Sequence, residues 1–327
     1  MTTKIMKKYN LRKYSICAIG ILLVCATIFL MGIHSTKSPW HNTPRKMSSS
    51  YQELKRTWED IFKQTPTVAY AHFIEVANML PYDQAHSLAH IVGTILYNRE
   101  GIAGLSNCTS DFAFGCYHGF AGGVIEKRGI TGVGEFTEAC KTQENVTDCE
   151  HGIGHGLVAY LGSDKLTEAL ELCPPAPVGS VGGCYNGVFM EYFLSTLQRD
   201  KGMPIRNLNS EDLEGPCVSD VPKKFQPACY YELPAWWRAW AAVGASSYEE
   251  QFSVIAQRCA SVVDSHLQTI CFQGAGAQIG VFSKYDMKHI QAWCSMMSGS
   301  GQTWCLNEAL NSIAGAENGP QDQPTVP

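Results

Sequence analysis

Five histidines of this chain fall at matching places. His86 and His90 lie four residues apart, as do His151 and His155, and His118 stands where His86 and His151 stand in their own phrases. On a helix, residues four apart share a face, so each His-x-x-x-His pair can present two imidazoles to one metal ion. A neutral imidazole set suits zinc, copper, iron or nickel. Neither pair encloses a glutamate, which excludes the HExxH metalloprotease signature. Glu126 and Glu191 follow on the same segments or nearby and are the candidate further ligands or bases. Set against this, a histidine on a helix is more often an ordinary polar residue, and such a glutamate a solvated one. Concentration of five in one register is what favours a site.

That register is set by cysteines. Twelve of the fourteen form six neighbouring couples, Cys108/Cys116, Cys140/Cys149, Cys173/Cys184, Cys217/Cys229, Cys259/Cys271 and Cys294/Cys305. An even count at short spacing outside the cytosol predicts six disulfides. No CxxC knuckle is present, which argues against a thiolate zinc site. The first cysteine of a couple closes an amphipathic segment (GEFTEAC, YEEQFSVIAQRC, DMKHIQAWC). The second opens a related phrase (CYHGFAGG, CEHGIGHG, CYNGVFME, CFQGAGAQ). The repeating unit is therefore helix A, cysteine, short loop, cysteine, helix B, at the period of helical-hairpin repeats. In this reading the disulfide ties the end of helix A to the start of helix B. A cysteine-free copy precedes the six, with TVAYAHFIEVANML as helix A and AHSLAHIVGTILY as helix B. In the next copy helix A is degenerate, around Ile102–Asn107.

Three residues after the second cysteine comes glycine in four of six copies: Gly119, Gly152, Gly187 and Gly274. Glycine inside a helix costs roughly 1 kcal/mol against alanine. Its recurrence at one position predicts helix B backbones that approach too closely for a Cβ. The residue before that glycine is polar in every copy, and the B helices are expected to turn this stripe towards a common cavity. Trp236, Trp237 and Trp240 offer either core packing or a stacking platform. Asn107 and Asn145 head glycosylation sequons.

The first 33 residues read differently. Lys4, Lys7, Lys8, Arg12 and Lys13 precede an uncharged apolar run from Ile16 to Ile33, about the minimum for spanning a bilayer. The expected organisation is a basic cytosolic tail over 1–15, a transmembrane signal-anchor over 16–33 and a stalk over 34–50. An extracytoplasmic helical repeat domain follows over 51–315, then a disordered tail over 316–327. Basic residues flanking the span stay in the cytosol, so the main domain faces the periplasm, the exterior or a lumen. A cleaved signal peptide is the alternative for the same segment. With five of the 25 basic residues before the span and all 30 acidic ones beyond it, the remainder carries a net charge of about −10, and nothing in it points to nucleic-acid binding, which wants a basic face.

The expected fold is all-α, an array of about seven hairpins, open as a solenoid or closed as an α/α toroid. This layout resembles disulfide-stapled helical-hairpin repeat proteins, the Sel1-like class in particular, over about residues 66–315. The resemblance lies in architecture and carries no activity, because the HG phrase is not a motif of that class. Two functions compete. One is a membrane-anchored protein holding zinc, copper or iron on His86, His90, His118, His151 and His155, an enzyme if that metal activates a substrate. The other is a non-catalytic repeat scaffold that binds a peptide, glycan or partner protein on its concave face; which small-molecule, peptide or glycan ligand the chain takes is not readable from the residues.

Overall fold

The computed structural model describes residues 47–63, 65–203, 214–241 and 244–317. The expected cytosolic tail and signal-anchor lie outside the described residues, as do most of the expected stalk and C-terminal tail. Within the described residues no helix is long and apolar enough to cross a membrane, and no strand occurs.

Helix α1 (Met47–Ile61) starts inside the expected stalk, and α2 (Pro66–Ala77) and α3 (Tyr82–Glu100) form the cysteine-free hairpin. A 3₁₀ turn at Gly101–Asn107 stands in for the degenerate helix A, followed by α4 (Asp111–Arg128). Next come α5 (Gly132–Cys140) with α6 (Val146–Leu161), and α7 (Leu166–Glu171) with α8 (Gly183–Leu194). A short helix, α9 (Thr196–Asp200), follows α8 and belongs to no hairpin. The last three pairs are α10 (Pro216–Ser219) with α11 (Gln226–Ala241), α12 (Tyr248–Ser261) with α13 (Ser265–Phe282), and α14 (Met287–Cys294) with α15 (Gly301–Glu317).

Local sequence sets these limits. The side chain of Asn145 accepts from the Asp148 amide at the start of α6, and Ser247, Asp264 and Asp286 cap α12, α13 and α14 in the same way. Each such cap satisfies backbone donors that the first turn leaves open. Helices α3 and α4 stop at Gly101 and Gly129, whose φ values of 59° and 65° suit glycine.

All six couples are disulfides between sequence neighbours: Cys108–Cys116, Cys140–Cys149, Cys173–Cys184, Cys217–Cys229, Cys259–Cys271 and Cys294–Cys305. Their Cα–Cα separations run from 5.4 to 5.7 Å. The pairing matches the sequence reading, but the place of the second cysteine corrects it. Cys184 stands at the start of its helix, next to Gly183, and Cys116 follows the left-handed residues Phe112–Phe114, where the regular winding of α4 begins. Cys149, Cys229, Cys271 and Cys305 instead lie inside α6, α11, α13 and α15, which begin at Val146, Gln226, Ser265 and Gly301. The reason is that caps, and not cysteines, start helices. Asn145 and Asp264 begin α6 and α13 upstream of Cys149 and Cys271, so part of each expected loop winds into the first turns of helix B. The disulfide then joins the body of helix B, and all four of these interior cysteines are fully buried.

Helix A also covers its partner with apolar side chains. Phe136 of α5 stacks on Phe120 of α4, ring centroids 5.8 Å apart, and both are fully buried. Burying a side chain of this size stabilises the fold by roughly 1.5–3 kcal/mol.

The B helices pack on one another in chain order: α3 on α4, α4 on α6, α6 on α8, α8 on α11, α11 on α13 and α13 on α15. The repeated glycines make these contacts possible. A Cβ on Gly119 would lie 1.9 Å from the His90 carbonyl oxygen, and one on Gly187 would lie 1.9 Å from that of His151. Gly152 meets the Tyr117 carbonyl and Gly274 that of Tyr231, at 2.5 and 2.0 Å. Each glycine therefore lets one B backbone rest against the carbonyls of the preceding one, close to the polar stripe. Trp236 and Trp237 are buried in the core, which removes the stacking-platform reading for those two rings.

Candidate metal centre

Helices α3, α4 and α6 are consecutive in the B row, and they bring all five histidines together. His90, His118, His151 and His155 are at most 5 % exposed, and His86 is half-buried. The rings fill the space between the helices. Centroids lie 4.4 Å apart for His86 and His90, 5.3 Å for His90 and His118, 4.1 Å for His118 and His155, and 4.8 Å for His151 and His155. Two groups of three emerge, His86–His90–His118 and His118–His151–His155. In each, one ligand atom per residue lies within 4.8 Å of the others.

The partners of these rings fix where their protons sit. His86 Nδ1 is 2.7 Å from the Phe112 carbonyl oxygen. His90 Nδ1 is 2.7 Å from Asp200 Oδ2, and His155 Nδ1 is 2.7 Å from Glu191 Oε2. Carbonyl and carboxylate oxygens accept, so in all three rings Nδ1 carries a proton, and in the neutral ring Nε2 is the lone pair. This is the arrangement in which an imidazole ligates a metal while its outer N–H is held by a carboxylate or carbonyl. The His90 Nε2 lone pair faces His118 Nδ1 at 3.2 Å, so His118 donates from Nδ1. Its Nε2 is then a second lone pair, buried and without a hydrogen-bond partner. The His155 Nε2 lone pair faces His151 Nε2 at 3.0 Å. In a tetrahedral site with bonds of about 2.0–2.1 Å, neighbouring ligand nitrogens stand roughly 3.3 Å apart. Both N···N contacts are already near that spacing.

Burial favours the neutral form of four of these rings. The pKa values of His86, His118 and His151 are pushed well below the ordinary histidine value, first by loss of solvent and then by neighbouring imidazoles. His155 is also lowered, chiefly by burial, with Glu191 acting against it. Burial raises the Glu191 carboxyl, but hydrogen bonds from His155 and from backbone amides outweigh it and bring it below its usual value. The pair is therefore a neutral imidazole donating to an ionised carboxylate.

Helix α9 supplies the second half of the centre. Ser195 adopts φ 50°, a left-handed conformation uncommon for a residue with a side chain, and sends the chain back over the cluster. Helix α9 then packs on α1, α3, α4, α6 and α8. Its first turn is bound by Glu191, which accepts from Thr196 Oγ1 at 2.9 Å, the Leu197 amide at 3.0 Å and the Gln198 amide at 2.7 Å. Its last residue, Asp200, reaches His90, and Ser87 donates to the other oxygen of Asp200 at 3.2 Å. Gly122 makes room for this helix, since a Cβ there would lie 2.8 Å from Leu197 Cδ2. A second strained segment serves His86: Phe112, Ala113 and Phe114 have φ of 53°, 49° and 63°. Left-handed residues cost roughly 1–2 kcal/mol each, and this turn carries the Phe112 carbonyl that His86 meets.

The two glutamates singled out from the sequence part company. Glu191 is wholly buried against His155, whereas Glu126 is mostly exposed and pairs with Lys201 at 2.6 Å. Asp200 carries no signal in the repeat phrases, because it lies outside them. The spacer between Cys184 and Cys217, the longest between couples, is the one hint in the chain that an extra element stands there. Beyond His151 the polar stripe continues: Asn186 is its hydrogen-bond partner and donates in turn to Glu232 Oε1. Glu232 is buried, its Oε2 has no hydrogen-bond partner, and burial pushes its pKa up to about 7.

All twelve cysteines of the couples are paired, so no thiolate among them competes for an ion. The donor set is nitrogen, backed by two carboxylates. No family model, curated protein or solved structure matches the chain.

Proposed function

We propose that the protein is a transition-metal protein of an oxidising, extracytoplasmic compartment, held at a membrane by its N-terminal apolar segment. The observation that carries this reading is the pair of overlapping histidine triads whose ligand atoms lie within 4.8 Å of one another, with Nδ1 held by Phe112, Asp200 and Glu191 in three of the rings. A buried polar atom without a partner is costly, and His118 Nε2 is one; an ion among the rings would supply its partner. Zinc and copper suit an all-imidazole set best. The six disulfides suit an oxidising environment. Burial of the rings under α9 favours an ion kept for structure, storage or electron transfer over hydrolysis of a bulky substrate. The concave-face scaffold has no comparable support, and two of the three tryptophans suggested for it are in the core.

The test is metal retention. The purified chain should keep zinc or copper through exhaustive dialysis. The variant His90→Gln/His155→Gln, which removes one inward lone pair from each group, should keep none while retaining its disulfides and helical circular dichroism. Equal metal content in the two proteins would overturn the reading.

A further inference from the structure

We propose that the cluster holds two metal ions, one in each histidine triad, with His118 bridging them through both ring nitrogens. This rests on the metal-binding reading above and adds a number, a geometry and a bridging ligand to it.

The two triads are built alike. Each takes one His-x-x-x-His pair, His86/His90 from α3 or His151/His155 from α6, and each completes itself with His118 from the helix between them. In each, the second histidine of the pair gives its Nδ1 proton to a buried carboxylate from the α8–α9 segment: Asp200 for His90, Glu191 for His155. One shared residue cannot serve two ions through one nitrogen, but His118 has two that are differently placed. Nδ1 faces the His90 lone pair at 3.2 Å, while Nε2 is buried with no hydrogen-bond partner. Two metal–nitrogen bonds of about 2.0–2.1 Å across an imidazole ring set the ions roughly 6 Å apart.

The protons balance without an oxidant. Neutral His118 carries one N–H, on Nδ1. The ion bound by His86, His90 and His118 replaces that proton, which leaves to solvent, and His118 becomes an imidazolate shared by both ions. In the other triad His151 carries its proton on Nε2, facing His155. Ligation through Nε2 requires that proton to move to Nδ1, and Asn186 is a hydrogen-bond partner of this ring. Two divalent ions bring four positive charges. The imidazolate and the carboxylates of Asp200 and Glu191 offset three of them within the buried site.

The experiment uses the purified full chain, stripped of metal, reloaded with copper(II) and desalted. The expected result is two copper ions per chain and an electron paramagnetic resonance signal well below that of two isolated ions, because an imidazolate bridge couples the two spins. The half-site variants His86→Gln/His90→Gln and His151→Gln/His155→Gln should each keep one ion, with the full signal of one uncoupled spin. They guard against a His118 variant that fails to fold. One ion per wild-type chain, lost in either half-site variant, would overturn the bridge and leave the metal-binding reading standing. Two ions with uncoupled spins would also overturn the bridge. No retained copper, repeated with zinc, would overturn both.

Discussion

Replacing Glu191 with glutamine keeps the shape of the side chain and removes its charge, so the effect isolates what the carboxylate does. Both its oxygens are acceptors at present: Oε2 serves His155 Nδ1, Thr196 Oγ1 and the Leu197 amide, and Oε1 serves the Gln198 amide. A glutamine offers one oxygen and one NH₂ in those two places. Whichever way it turns, at least one backbone donor of α9 then faces an N–H, and the remaining bonds lose their charge assistance. Hydrogen bonds to a charged group contribute roughly 1.5–3 kcal/mol each, and a buried group left unmatched costs about 1–3 kcal/mol. A loss of about 3–5 kcal/mol is expected, which for a chain of this size is a fall in Tm of roughly 6–20 °C. Because His155 then loses its fixed tautomer, metal affinity should also drop about 10–100-fold. Thermal unfolding of the metal-free chain and competition of the loaded chain with a chelator read the two effects separately. A Glu191→Gln protein with unchanged Tm and unchanged affinity would refute the claim that this carboxylate couples α9 to the histidines.

Gly119→Ala sets a Cβ 1.9 Å from the His90 carbonyl, where ordinary contacts begin near 3.4 Å, so α3 and α4 must move apart. The expected loss is about 3 kcal/mol, whereas Gly134→Ala, which meets nothing within 4 Å, should be neutral or stabilising; equal Tm values for the two variants would contradict the close-approach account. For Glu232, the folded carboxyl titrates at about 7 against an unfolded value of about 4.3. The native state therefore holds a proton that the unfolded state releases over that interval, and stability falls as pH rises from about 4.5 to 7 and levels off above it. The total is roughly 3–4 kcal/mol. His86, His118 and His151 act in the opposite sense, costing stability below about 6.5, so the contribution is read as the difference between wild type and Glu232→Gln in urea unfolding across pH 4.5–8. A difference that stays constant across that range would show that Glu232 does not titrate as described.

Much of this centre was legible in the chain because it obeys the repeat. The cysteine couples gave the hairpins and their register, and the register aligned His86, His118 and His151 from the residues alone. The glycines pointed to close helix contacts, since a residue unfavourable in helices does not recur at one position without steric cause. Helix limits were less legible. A cysteine marks where a cross-link falls and says nothing of where winding begins, so Cys149 and Cys271 sit inside helices that their phrases were expected to open. Two things escaped altogether. Asp200 and α9 belong to an insertion, and nothing periodic announces a five-residue helix that turns back through a left-handed serine. The left-handed turn at Phe112–Phe114 has no signature in a stretch without glycine, so the carbonyl that orients His86 could not be foreseen. Helical spacing places a residue on a face without saying whether a neighbour covers it: Lys201 and solvent meet the Glu126 carboxylate, while α9 covers Glu191.

The central claim is that the buried imidazoles are metal ligands. X-ray absorption at the metal edge of the zinc-loaded, desalted chain tests it most directly. The account predicts a first shell of nitrogen at about 2.0–2.1 Å, with the outer-shell scattering of about three imidazole rings per ion. A shell of oxygen alone, or a first shell unchanged by His90→Gln/His155→Gln, would contradict it.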